Sequence, residues 1–110
     1  MIRIVSKYLV PNGYRGLTVF PFVFLKQREY GSDEVLLNHE KIHLRQQLEL
    51  LVLPFFVWYS LEFLWHFLVK RDVKSAYYSI SFEREAYANE KDLHYLKQRS
   101  FWRFLNYFNQ

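Results

Sequence analysis

Residues 39–43 read His-Glu-Lys-Ile-His, and the spacing of the two histidines dictates the backbone that can use them. Four residues apart on an α-helix, His39 and His43 share one face, close enough for both imidazoles to bind a single Zn²⁺. Glu40, beside the first of them, can reach a water on that ion without being a ligand itself. Zinc lowers the pKa of such a water to about 7, and a carboxylate in this position accepts its proton and hands it to a leaving amine. The surrounding segment is written for a helix. Ser32 is a suitable N-cap, Asp33 and Glu34 place negative charge in the first turn, and no Gly or Pro follows until Pro54. With Val35, Leu36, Leu37, Ile42, Leu44 and Leu48 as apolar positions, this predicts a helix of about five turns. In a chain with four histidines, the pattern arises by accident in roughly one case in a hundred.

The 110 residues suffice for one domain with its own core and predict a single unit over 1–110. At 51% hydrophobic, with eleven Phe, nine Tyr and three Trp, the chain is too apolar to be disordered and carries more aromatic surface than a small core hides. Some of that surface is expected to meet a membrane or another subunit. The absence of cysteine excludes thiolate zinc sites and thiol nucleophiles. No apolar core with a small-residue cleavage site follows Met1, so the expected location is the cytoplasm, with membrane association open. The net charge of +4 is spread along the chain, and no nucleic-acid partner is expected.

The predicted fold class is α+β and mostly helical, with an N-terminal β-hairpin or edge strand followed by three to four packed helices. Residues 2–10 and 17–25 read as strands around an Asn12-Gly13 turn signal. Pro21 cannot donate to a ladder and fits an edge strand, where an extended peptide could pair beside the metal-binding helix. Residues 50–69 are apolar except for Pro54, Ser60, Glu62 and His66. They are long enough to cross a bilayer, but the acid and the histidine favour a buried or interface-lying helix. A span would also put His39 and His43 on the opposite side from everything after Arg71. Residues 101–108 form a short aromatic segment that docks on the domain or on a membrane surface. Contact with a membrane surface, or with a second copy, is expected through 50–69 and 101–108.

Catalytic zinc keeps three protein ligands. His66, His94, Glu62, Glu83, Glu85 and Glu90 are the candidates for the third. His66 is most simply bonded to Glu62 one turn earlier, and His94 is read as an exposed helix position. In the segment Phe82-Glu83-Arg84-Glu85-Ala86, Glu83 shares a helical stripe with Tyr87, Glu90 and His94, and Glu85 shares one with Asn89 and Asp92. Either stripe could face the first helix, and Ser81 offers a cap for the helix that carries them.

The HEKIH string, followed about forty residues later by FEREA, resembles the gluzincin branch of zinc metallopeptidases. It is most similar to minigluzincin-like domains and to the cores of the heat-shock, prenyl-protein and beta-lactam-sensor membrane metallopeptidases. The resemblance covers roughly residues 32–90. It implies a zincin-like core in which Zn²⁺ is held by His39, His43 and Glu83, with Glu85 the alternative third ligand, and Glu40 is the catalytic base. It further implies hydrolysis of a peptide or protein substrate. Tyr87 stands where that family has an aspartate that orients a ligand histidine, so Asn89 or Glu90 would have to take that part. Gln46 and Gln47 extend the first motif without an evident task, and Tyr87 and His94 are conceivable oxyanion donors. The competing expectation is a catalytically silent metal-binding domain, or a membrane-associated interaction or sensor domain, on the same fold.

Overall fold

The computed structural model describes residues 1–108. The fold is α+β, with a small sheet at the start and helices thereafter. Strands β1 (Ile2–Val5), β2 (Gly16–Val19) and β3 (Phe22–Leu25) lie in the order β1-β3-β2. β2 and β3 form an antiparallel hairpin with Thr18 opposite Val23, whereas β1 runs parallel to β3 with Ile2 opposite Phe22. The hairpin therefore folds inside the apolar run of 17–25, and Pro21 lies in its two-residue turn instead of in a strand. Asn12-Gly13 does not join two neighbouring strands, because the connection from β1 to β2 crosses β3, which lies between them. The two residues belong to that crossing loop, where Gly13 takes φ +91. The Lys26 ammonium holds the loop by donating to the carbonyls of Lys7 and Val10 and to Asn12 Oδ1.

Helix α1 (Glu34–Leu50) follows a 3-10 turn, Arg28–Ser32. Its cap is Asp33 and not Ser32, which is spent in that turn. The Asp33 carboxylate accepts from the Leu36 N–H at 3.1 Å and pairs with Arg15 at 3.0 Å. Helix α2 (Val52–Lys70) starts after a single residue, Leu51, at φ 65, and Pro54 falls in its first turn, where a missing N–H is harmless. Then come α3 (Val73–Ser79), capped by Asp72, α4 (Ser81–Asn89), and the one-turn α5 (Tyr95–Gln98).

Two apolar clusters flank α1. Val23 and Leu25 of the sheet meet Leu36 and Leu37 on one side, and on the other Phe55, Ile80, Phe82 and Phe104 close together. Phe104 comes from the terminal 3-10 turn, Arg103–Tyr107, so residues 101–108 dock on the domain through this fully buried ring. Between the clusters, α1 buries Asn38, His39, Glu40, His43, Gln46 and Gln47 beside only Leu36, Leu37 and Ile42. A helix face this polar is buried for hydrogen bonding, not for packing.

Helix α2 distributes its apolar residues differently. Phe55 and Glu62 are its buried positions. Leu53, Val57, Leu61, Leu64, Trp65, Leu68 and Val69 are all exposed.

Candidate metal centre

Helical spacing aligns His39 with His43, and α4 crosses α1 so that Glu83 comes down between them. His43 Nε2 lies 3.1 Å from His39 Nε2 and 3.0 Å from Glu83 Oε1, and His39 Nε2 is 3.2 Å from the same oxygen. All three residues are buried. These are the three groups whose ligand atoms converge tightly enough to hold one metal ion among the described residues. The fit is quantitative. Ligand atoms about 2.0–2.1 Å from a tetrahedral zinc stand about 3.3 Å from each other.

The partners of the far side of each ring decide what the cluster needs. His39 Nδ1 is 3.0 Å from Glu90 Oε1, and His43 Nδ1 is 2.8 Å from Gln46 Oε1. Both partners are acceptors, so each Nδ1 carries the proton and each Nε2 of a neutral ring presents a lone pair. Two lone pairs and a carboxylate oxygen then point at one spot, an arrangement that requires a cation. Without metal, that cation is a proton on His43. Burial pushes its imidazole down, but the hydrogen-bonded Glu83 carboxylate outweighs burial and raises it from 6.5 to about 9. Burial pushes Glu83 up, and the two histidines outweigh that too, holding its carboxyl well below the usual range. Its other oxygen accepts from the Tyr59 hydroxyl at 2.6 Å, which fixes the carboxylate's rotation.

Glu85 does not join the cluster. Its carboxylate is held by Arg99, by the Tyr95 hydroxyl at 2.7 Å and by Gln46 Nε2 at 2.9 Å. Gln46 thus links His43 to Glu85 and also donates to the Phe82 carbonyl. Glu62 is engaged elsewhere as well. Its two oxygens accept from the Ser81 N–H and hydroxyl at 2.7 and 2.5 Å, so the α4 N-terminus is capped from α2 and not by the Ser81 side chain. The expected His66–Glu62 bond gives way to this cap. His94 is exposed and stands before α5.

Glu40 lies on the sheet side of α1. Thr18 Oγ1 donates to Glu40 Oε1 at 3.1 Å, and burial raises the carboxyl above its ordinary value against the pull of both histidines. Gly16 of β2 lets the strand come this close, since a Cβ there would stand 3.3 Å from Glu40 Cδ. Gln47 pins the same strand like a fragment of a neighbouring one, donating to the Thr18 carbonyl and accepting from the Phe20 N–H, both at 2.7 Å. Because Arg15, Leu17 and Val19 pair with β3, the Gly16 N–H and C=O point along the open edge of β2.

No family model, no curated protein and no solved structure matches the chain. The site therefore has to be read from its own groups.

Two cavities meet at Glu40, Gly16, Tyr14 and Tyr77. One, of about 170 Å³, is polar and reaches His39, Lys74 and Tyr87. The other, of about 270 Å³, passes His43 and Glu83 into a wall of Leu17, Phe56, Tyr59 and Phe63. Tyr87 packs edge-on against the His39 ring at 4.4 Å between centroids, and its hydroxyl lies 3.0 Å from that of Tyr77. The sequence marks Gln46 and Gln47 by their place one turn beyond His43. Thr18, Tyr59 and Arg99 carry no such mark, because each reaches the site from a distant part of the chain.

Proposed function

We propose that this chain is a zinc-dependent peptide hydrolase, with His39, His43 and Glu83 as ligands and Glu40 as general base, as the resemblance to gluzincins implies. The observation that carries the proposal is the set of three converging lone pairs, each ring fixed from behind, beside a buried carboxylate that does not belong to the set. Zinc bound there would polarise a substrate carbonyl and make an attacking water acidic. Glu40 takes the proton of that water and returns it to the leaving amine. Its burial and raised carboxyl suit both halves of this exchange. Thr18 keeps Glu40 oriented, Glu90 and Gln46 keep the ligand tautomers, and Tyr59 keeps Glu83 in place. A substrate strand pairing with the Gly16 edge would run between the two cavities, with an apolar side chain in the aromatic one.

A closed structural metal site is the competing reading, favoured by ligands only 4–6% exposed. Glu40→Gln separates the two. Zinc content by mass spectrometry should stay near one per chain, while cleavage of a peptide mixture should fall by 100-fold or more, on the order of a lost general base. Zinc at one per chain with no cleavage of any peptide by the wild type would establish the structural site. Absence of zinc from the wild type after zinc is supplied would sink both readings.

A further inference from the structure

We infer that the exposed face of α2 docks on the surface of an anionic lipid membrane, with the helix lying along the interface. The inference is independent of the hydrolase reading. Leu53, Val57, Leu61, Leu64, Trp65 and Leu68 recur at helical spacing and form one stripe, with Leu53 75%, Leu61 62% and Trp65 66% exposed. By length and composition α2 passes for a membrane span, with mean hydropathy 1.5, yet only 11% of that window is buried in the protein. A core helix of the same composition would be covered. An open, mostly apolar groove of about 790 Å³ follows the stripe past Leu53, Leu61, Trp65 and Phe108, with Glu62 and His66 also in its lining, and offers a trough for acyl chains.

Charge selects lipid over a second protein surface. The one acid of α2 is Glu62, which is buried and consumed by Ser81. The stripe therefore carries no negative charge. At its C-terminal end stand exposed Arg71 and Lys70, the latter also donating to the Ser79 hydroxyl, against Asp72 alone, whose carboxylate is occupied in capping α3. An apolar stripe with tryptophan and a basic end matches an anionic interface. The helix lies along that interface because its polar contacts are at mid-length. Tyr59 and Glu62 bind α4 from the middle of α2, which brings the chain before α2 and the chain after it to the same side.

Flotation with lipid vesicles tests this. The wild type should float with vesicles holding about 30 mol% phosphatidylglycerol and less with phosphatidylcholine alone. Leu61→Ser with Trp65→Ser should abolish flotation. Lys70→Gln and Arg71→Gln should weaken it roughly fivefold each. Zinc content and circular dichroism report the fold of every variant, and if the serine pair unfolds, the two charge variants decide. The inference is overturned if the wild type stays out of both vesicle fractions, or if the folded serine pair floats as well as the wild type. It is equally overturned if lipid-free protein is a dimer that the serine pair dissociates, since a second copy would then cover the stripe.

Discussion

His43 Nε2 is placed to hold a proton and, on the proposed reading, a zinc ion in its stead. In the metal-free chain its pKa stands at about 9 against 6.5 for a free imidazole. Folding therefore takes up a proton there between these values. That stabilisation is complete below pH 6.5 and is lost as pH rises through 9, on the order of 3 kcal/mol in total. The depressed Glu83 carboxyl works the other way, contributing above its unfolded value of 4.5 and failing as pH falls. Urea unfolding of chelated protein should accordingly show its greatest site-dependent stability between about pH 4.5 and 6.5. Zinc bound as proposed would displace the same proton, so its affinity should climb by up to tenfold per pH unit over pH 6.5–8, as measured by competition with a chromophoric chelator. Gly16 permits a second sharp test. A methyl group there would press Glu40 Cδ from 3.3 Å, and the carboxylate must give way by a few tenths of an ångström. Gly16→Ala should keep its zinc and its melting temperature within a few degrees but lose roughly tenfold in kcat/KM.

Among the elements, α4 depends most on its neighbours. It spans nine residues, Ile80 before it offers no side-chain cap, and its first N–H is taken by Glu62 from α2. Glu62→Ala should cost about 2–3 kcal/mol in chemical denaturation and should also weaken zinc binding, because Glu83 sits in the turn that Glu62 holds. This dependence also accounts for what was legible beforehand. α1 could be read from the sequence because its apolar positions and its histidines are local, while its cap fell one residue later than expected, on Asp33, because Ser32 belongs to the preceding 3-10 turn. The α+β class could be read for the same reason. The order of the strands could not, since β1 pairs with β3 across a loop and no local signal specifies a parallel partner. The choice between Glu83 and Glu85 was open in the residues alone because it turns on how α4 is rolled. Phe82 and Ala86 are fully buried and set that roll, and Arg99 receives Glu85 from fourteen residues away. Neither fact has a signature in the spacing of FEREA.

Across the chain as a whole, Arg99 joins the parts. Its guanidinium binds Glu85 of α4 and Glu49 of α1 while fully buried, and Glu49 Oε1 is the one buried side-chain polar atom left without a partner among the described residues. Arg99→Ala would leave two carboxylates in the interior, and a loss of about 3–5 kcal/mol is expected in thermal unfolding. Through Glu85 and Gln46 the same substitution should loosen His43 and lower zinc affinity. On the other side of the cluster, the hydrogen bond from Tyr59 to Glu83 ties it to α2. One face of α2 holds Glu83 through Tyr59 and its opposite face carries the exposed apolar stripe, so if both proposals hold, a shift of the helix on a membrane would reach the proposed metal ligand through this one hydrogen bond. Linkage then makes the two binding events reciprocal: by whatever factor vesicles change the affinity for zinc, zinc must change the affinity for vesicles.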